Sequence, residues 1–310
     1  MCPNVRTELL PIPADFAALI RAREGEVACG WLVELPRTIA DLLSRWNLRQ
    51  DGSLLHGVCA VVLPVRCQDG QAGALKISWL DDETRFEPAA LRAWGGQGAV
   101  KVLRTAETVG AMLLERLDER RVLQEVPIQE ALDTAAYLLR ELRVPAPAGL
   151  REVGGLAARW AAEFRAEWRR LGEPCAEGLI DTATEVCAEL AVQPADPWLL
   201  HGDFHYGNIL GRGSQGWAAI DPKPLAGDPA FEVVPLLRNR WGEVRGGDEK
   251  SDTLQRRLAR FAEMAELVPT TMRRWCLVRS VDDALWFQAQ ADTLRAEISW
   301  DIAREMTVDL

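Results

Sequence analysis

The segment His201-Gly202-Asp203-Phe204-His205-Tyr206-Gly207-Asn208 carries an Asp and, five residues on, an Asn. Thirteen residues past Asn208, the apolar run Trp217-Ala218-Ala219-Ile220 ends in Asp221-Pro222-Lys223. An Asp on a loop can accept the proton of an attacking hydroxyl, and an Asn with a second Asp can hold Mg²⁺ against nucleotide phosphates. The spacing follows the pattern H-x-D-x-x-x-x-N, in which both polar side chains face one site. The chemistry such a set would do is phosphoryl transfer to a hydroxyl. A polar turn between two strands is the plain alternative; it accounts for the loop but not for a second Asp at the end of a rigid strand. Gly202 stands where protein kinases carry an Arg that pairs with a phosphorylated activation loop, so switching by that route is not expected.

Two lysines belong to the same chemistry. Only four of the 36 basic residues are lysines, namely Lys76, Lys101, Lys223 and Lys250, a bias that fits a GC-rich genome. A lysine kept against that bias marks a place where a compact ammonium suits and a planar guanidinium does not. Lys223 could reach a transferred phosphoryl group and neutralise its charge, or it is a solvated loop lysine. Pro222 fixes φ and removes a donor, which stiffens the segment after Asp221. Lys76 sits in Gly73-Ala74-Leu75-Lys76-Ile77, on the strand face opposite Leu75 and Ile77. In kinases such a lysine holds the α- and β-phosphates and pairs with a helix Glu. Glu87 is the partner candidate and Glu83 its rival; a surface lysine on an edge strand is the bland reading.

Periodicity supplies the elements that must position these groups. Residues 14 to 47 read as two helices, with Trp31, Leu35, Ile39, Leu42 and Trp46 at helical spacing and Pro36 marking an early turn or break. Val58 to Val65, a turn at Gln68-Asp69-Gly70-Gln71 and Ala72 to Trp79 form a hairpin that carries Lys76. Residues 84 to 94 look helical, and 100–103 and 111–117 look like strands. From about residue 126 the pattern turns helical. Apolar stripes run through Ile128, Leu132, Ala135, Leu139 and Leu142, through Trp160, Phe164, Trp168 and Leu171, and through Leu179, Ala183, Val186 and Leu190. These stripes read as core. Short strands at 198–200 and 217–220 flank the opening motif, and helices resume near 229, 252 and 272. The fold class expected is α+β, with an N-terminal lobe at 1–118 and a helical C-terminal lobe at 119–310.

Composition narrows the partners. The chain has 310 residues, a net charge of −10 and a pI near 5.0, which repels nucleic acid and anionic membrane and would attract a cationic small molecule. The acidity also serves solubility alone. The seven cysteines (Cys2, Cys29, Cys59, Cys67, Cys175, Cys187 and Cys276) are odd in number and scattered, which suits a reducing cytoplasm better than a disulfide framework or a zinc site. No signal peptide and no membrane-spanning run is read from the sequence, and no protein partner is evident.

At the level of motifs the chain resembles the aminoglycoside phosphotransferases, in the branch of the streptomycin 6-kinases and hydroxyurea phosphotransferases. The resemblance is carried by Val61-Val62-Leu63-Pro64-Val65, Ala74-Leu75-Lys76, Ala90-Leu91-Arg92-Ala93-Trp94, Leu113-Leu114-Glu115-Arg116-Leu117 and His201 to Leu210. Its most specific pieces are Ile220-Asp221-Pro222-Lys223-Pro224, Gly227-Asp228-Pro229-Ala230 and Pro235-Leu236-Leu237-Arg238-Asn239. It implies a bilobal protein-kinase-like fold, ATP and Mg²⁺ as cofactors, and transfer to an aminoglycoside hydroxyl, with the 6-hydroxyl of streptomycin first. Hydroxyurea or another small metabolite is the alternative acceptor. A non-catalytic nucleotide-binding module is the alternative class, against which the intact Asp203, Asn208, Asp221 and Lys76 speak.

The resemblance makes Asp203 the base, Asn208 and Asp221 the metal ligands, and Lys76 with Glu87 the phosphate holder. It makes the backbone of Glu115 to Leu117 the adenine hinge. A guanidinium-bearing acceptor needs carboxylates, for which Asp228, Glu232, Asp282 and Asp283 are candidates. Asp228 before Pro229 also reads as a helix N-cap. The chain departs from the family pattern where the phosphate-covering turn has only Gly52 and Gly57. It departs again where Phe204 and Tyr206 replace Leu and Pro, a change by which Tyr206 could narrow the acceptor site.

Overall fold

The computed structural model describes residues 9–192, 197–214, 216–246 and 252–308, so Cys2 and Lys250 lie outside the described residues. The chain divides into two compact units, one of Met1–Pro88 with Val100–Arg116 and one of Ala89–Ala99 with Leu117–Leu310.

The first unit opens with α1 (Ala14–Glu24) and α2 (Val27–Arg45). The break between them falls at Gly25, φ 69°, and not at Pro36, which lies inside α2. An interior proline costs a helix about 3 kcal/mol. Burial of Leu32, Leu35, Ile39 and Leu42 along one face of α2 outweighs that, at roughly 1.5–3 kcal/mol for each side chain.

The strands β1 (Arg49–Gln50), β2 (Leu55–His56), β3 (Ala60–Arg66) and β4 (Ala72–Ser78) follow. The helix α3 (Glu87–Trp94) begins three residues later than its sequence pattern suggests. Asp81 accepts from the N–H groups of Glu83 and Thr84 and holds that stretch as a turn. β5 (Val102–Ala106) and β6 (Ala111–Glu115) complete an antiparallel sheet of order β1-β3-β4-β6-β5, with β2 on β3. Lys76 lies opposite Val62 on one neighbour and Met112 on the other, so β4 is an inner strand and not an edge. Val61, Leu63, Leu75, Ile77 and Leu113 share one core with Ile39 and Leu42.

The second unit takes in the later turns of α3. Trp94 Nε1 donates to Leu142 O at 2.8 Å, and the Ala219 N–H donates to Gly98 O at 2.9 Å. Its strands form two small sheets. One has the order β11 (Gly216–Ala219), β10 (Ile209–Arg212), β7 (Asp118–Val122); the other has the order β8 (Arg151–Glu152), β12 (Leu225–Gly227), β9 (Trp198–Leu200). Around them pack α4 (Ile128–Glu141), α5 (Val153–Arg170), α6 (Glu177–Leu190), α7 (Val233–Asn239), α8 (Trp241–Arg245), α9 (Asp252–Met264), α10 (Pro269–Ala289) and α11 (Thr293–Met306). The aromatic stripe of α5 is core: Trp160 stacks on Phe164 and Phe231, and Phe231 meets Trp275 edge-on. No helix among the described residues is long and apolar enough to cross a membrane.

Candidate active site

The β10–β11 hairpin brings the metal-ligand candidates together. Ile209 pairs with Ala219, and the ladder continues as the Ile220 N–H donates to Asn208 O at 2.8 Å. Asn208 therefore faces Ile220, and Asp221 follows at once. Asp221 adopts φ 58°, the left-handed region that a non-glycine residue holds only under constraint.

The loop before Asn208 is tied down at several backbone and side-chain atoms. The Asn208 side-chain amide donates to Asp203 O at 3.0 Å, which leaves its oxygen as an acceptor. His201 is buried, and burial pushes its pKa down to about 4, so the ring is neutral. Its Nε2–H donates to Ile220 O at 2.9 Å while Nδ1 accepts from the Asp203 N–H at 3.3 Å. One imidazole thus ties the loop of Asp203 to the strand that delivers Asp221. The Lys223 N–H donates to His201 O at 2.7 Å. Gly202, between them, has φ 80°, and a Cβ there would sit 2.0 Å from Lys223 O. No side chain fits, which is the local reason why glycine stands in place of arginine.

Asp203 Oδ2 accepts from Lys223 Nζ at 2.8 Å, and His205 Nε2 lies 3.8 Å from Oδ1. Burial pushes the Asp203 pKa up, but the Lys223 charge and hydrogen bond, with the two histidines, outweigh it and hold the carboxyl below its ordinary 3.8. Asp203 is therefore an ionised acceptor at neutral pH, about a quarter exposed on its side chain. In the first unit Lys76 Nζ donates to Glu87 Oε1 at 2.6 Å, with both side chains buried. Glu83 faces Arg23 instead. Glu115 Oε1 accepts from the Lys101 N–H, and the chain leaves the first unit just beyond it, between Arg116 and Leu117.

The four carboxylates expected to meet an acceptor fall in different surroundings. Glu232 is fully buried, and its Oε1 accepts from the Gly202 N–H at 2.7 Å. Burial pushes its pKa up to about 7. It braces the loop from beneath, which corrects the expectation that it meets an acceptor. Asp228 caps the 3-10 turn Pro229–Glu232 by accepting from the Ala230 N–H at 2.8 Å. Asp283 pairs with Arg238, whose guanidinium lies 5.2 Å from the centre of the Phe287 ring. Asp282 is half-buried, its pKa pushed up to about 6 by burial against the pull of Arg159 and Arg279.

Tyr206 is also buried, its ring 5.6 Å from the Arg240 guanidinium, so it cannot narrow an acceptor site. Phe204 packs edge-on to His201. Both aromatics fill the underside of the loop. A cavity of about 690 Å³ lined by Gln97, Asp133, Tyr137, Glu141 and Trp217 shares none of these groups. Arg238 and Arg279 carry charges that act on Asp203, and His205 lies 3.8 Å from it; Arg279 belongs to none of the quoted motifs, and in a chain so rich in arginine nothing local marks it.

Among the described residues no group of three or more His, Cys, Asp or Glu could cage a metal. Asn208 and Asp221 nevertheless fit Mg²⁺, which takes hard oxygens and is usually held by one or two carboxylates with the remaining positions left to water and phosphate.

The fold and site together define a protein-kinase-like phosphotransferase. Spectinomycin phosphotransferase, solved with ADP and spectinomycin, superposes with a TM-score of 0.53 at 14% identity, over 87% of this chain and 93% of that one. The chain belongs to the aminoglycoside/hydroxyurea antibiotic resistance kinase family, whose sequence model matches residues 45–291. It is 36% identical over 282 residues to streptomycin 6-kinase of Streptomyces glaucescens, covering 90% of this chain and 92% of that protein. It is 40% identical over 285 residues to hydroxyurea phosphotransferase of Kitasatospora aureofaciens, covering 90% and 80%.

Proposed function

We propose that this protein uses ATP and Mg²⁺ to phosphorylate the 6-hydroxyl of streptomycin and so confers resistance to it. The observation that supports this most is the ionised Asp203, hydrogen-bonded to Lys223 and tied through His201 and Asn208 to the strand of Asp221. Asp203 orients the acceptor hydroxyl and takes its proton. In a loose, metaphosphate-like transition state little basicity is needed, so a carboxylate held at low pKa suffices. Lys223 neutralises charge developing on the transferred group. Lys76, set by Glu87, holds the α- and β-phosphates, and the backbone of Glu115 to Leu117 meets adenine. Bound Mg²⁺, held by Asn208 and Asp221, would neutralise phosphate charge. Residues 1–118 then cover the nucleotide, and 119–310 carry the catalytic and acceptor groups.

For the acceptor, Asp282 is favoured: it stands at i+3 on α10 from Arg279, which reaches the Gly202 carbonyl beside Asp203, and among the described residues it is not taken up in an ion pair as Asp283 is. Asp283 already pairs with the chain's own Arg238, so an acceptor guanidinium would have to take that arginine's place there. Free thiols at Cys29, Cys67, Cys175, Cys187 and Cys276 suit a cytoplasmic enzyme. The relative named for hydroxyurea supports that compound as the second reading. Incubation with ATP and streptomycin, hydroxyurea or choline tests both. The expected product is streptomycin phosphorylated on the 6-hydroxyl, identified by mass and ³¹P NMR. A response to hydroxyurea with none to streptomycin would reverse the order.

A further inference from the structure

Arg279 on α10 belongs to no motif, yet it reaches the loop of the base. Its guanidinium donates to Phe231 O at 2.7 Å and to Gly202 O at 3.1 Å, and lies 4.1 Å from the centre of the Phe231 ring. The Gly202 carbonyl is half of the peptide group that begins Asp203. The peptide group before it is held at the Gly202 N–H by Glu232. Gly202 has no side chain with which to lock itself; the N–H end of the Gly202–Asp203 peptide donates to His201 Nδ1 at a long 3.3 Å, and its carbonyl end is held by Arg279.

We propose that Arg279 is a positioning residue for the transfer: by holding the carbonyl of the Gly202–Asp203 peptide it sets the direction in which Asp203 meets the acceptor hydroxyl. A planar guanidinium can hold two carbonyls at once in fixed geometry, which an ammonium cannot do equally well. One turn further along the same helix stand Asp282 and Asp283, at i+3 and i+4 from Arg279. α10 therefore carries both the brace of the base loop and the carboxylates proposed for the acceptor. The link to the acceptor rests on the phosphotransferase reading above; the brace itself does not.

The test compares Arg279→Met with Arg279→Lys, which keeps a charge but loses the fork. Hydrogen exchange of peptides covering residues 199–210 reads the brace without any acceptor. Steady-state kinetics with ATP and streptomycin read its consequence. In Arg279→Met the loop is expected to exchange about tenfold faster while α5 keeps its protection. Its kcat is expected to fall about a hundredfold, the scale of a misplaced catalytic group. KM for ATP should stay within about threefold, and Arg279→Lys should recover about tenfold of the lost kcat. Unchanged loop exchange would overturn the proposal. So would faster exchange throughout the second unit, which marks a folding defect, or a lysine variant no better than methionine. If the wild-type protein leaves streptomycin untouched, the functional reading fails and loop exchange alone decides the role of Arg279.

Discussion

Asp203 draws its character from the groups that touch it. Lys223, 2.8 Å away, together with His205 and His201 outweighs the burial that would otherwise raise its pKa. Replacement of Lys223 by Met removes that positive charge, so the Asp203 pKa rises and the acid limb of a kcat/KM profile is expected to move to higher pH. The same change should lower kcat about a hundredfold at the optimum, the scale for loss of one charge-stabilising donor. An unmoved acid limb would remove Lys223 from the carboxylate's environment. At this scale the sequence was most legible where a position depends on local spacing. Asp203, Asn208 and Asp221 lie on one loop and the adjoining hairpin, so counting residues places them. Glu232 and Tyr206 were misread because burial is set by what packs over a residue. Glu232 meets Gly202 across 30 residues and Arg279 meets it across 77, separations over which no period or motif carries information.

Strands and helices show the same division. The β3–β4 hairpin was legible from its turn and alternation, and with it the address of Lys76. That Lys76 faces Glu87 and not Glu83 depends on where α3 begins, and Asp81 sets that start through capping-type bonds rather than through periodicity. The run of α2 through Pro36 was hidden for a similar reason: apolar burial on one face overrides a local breaker. The buried Lys76–Glu87 pair allows stability and function to be separated. Lys76→Met alone strands a buried carboxylate and should cost about 3–5 kcal/mol. The double variant Lys76→Met with Glu87→Leu is expected to regain most of that stability in chemical denaturation and none of the phosphoryl transfer. Recovery of activity in the double variant would mean that Lys76 acts only through packing.

For the molecule as a whole, the chain divides into two compact units: Lys76 and Glu87 lie in the first, and Asp203, Asn208, Asp221 and Lys223 in the second. The α+β division was legible from periodicity, two leading helices and alternating strands in the first unit and mostly helical stripes in the second, while the kinase-like fold was implied by the motif resemblance. The excess of acidic over basic residues, 46 against 36, favours a cationic acceptor without choosing one. The carboxylates proposed for the acceptor lie on α10, where Asp283 pairs with Arg238 of α7, a pairing beyond the reach of composition. The most direct measurement is phosphoryl transfer by Asp203→Ala alongside binding of ATP to the same variant by calorimetry. Transfer to streptomycin is expected to fall below detection while ATP binds within about threefold of wild type, because the base touches the acceptor and not the nucleotide. Turnover near the wild-type rate in Asp203→Ala would contradict the assignment of the base and, with it, the phosphotransfer mechanism built on this loop.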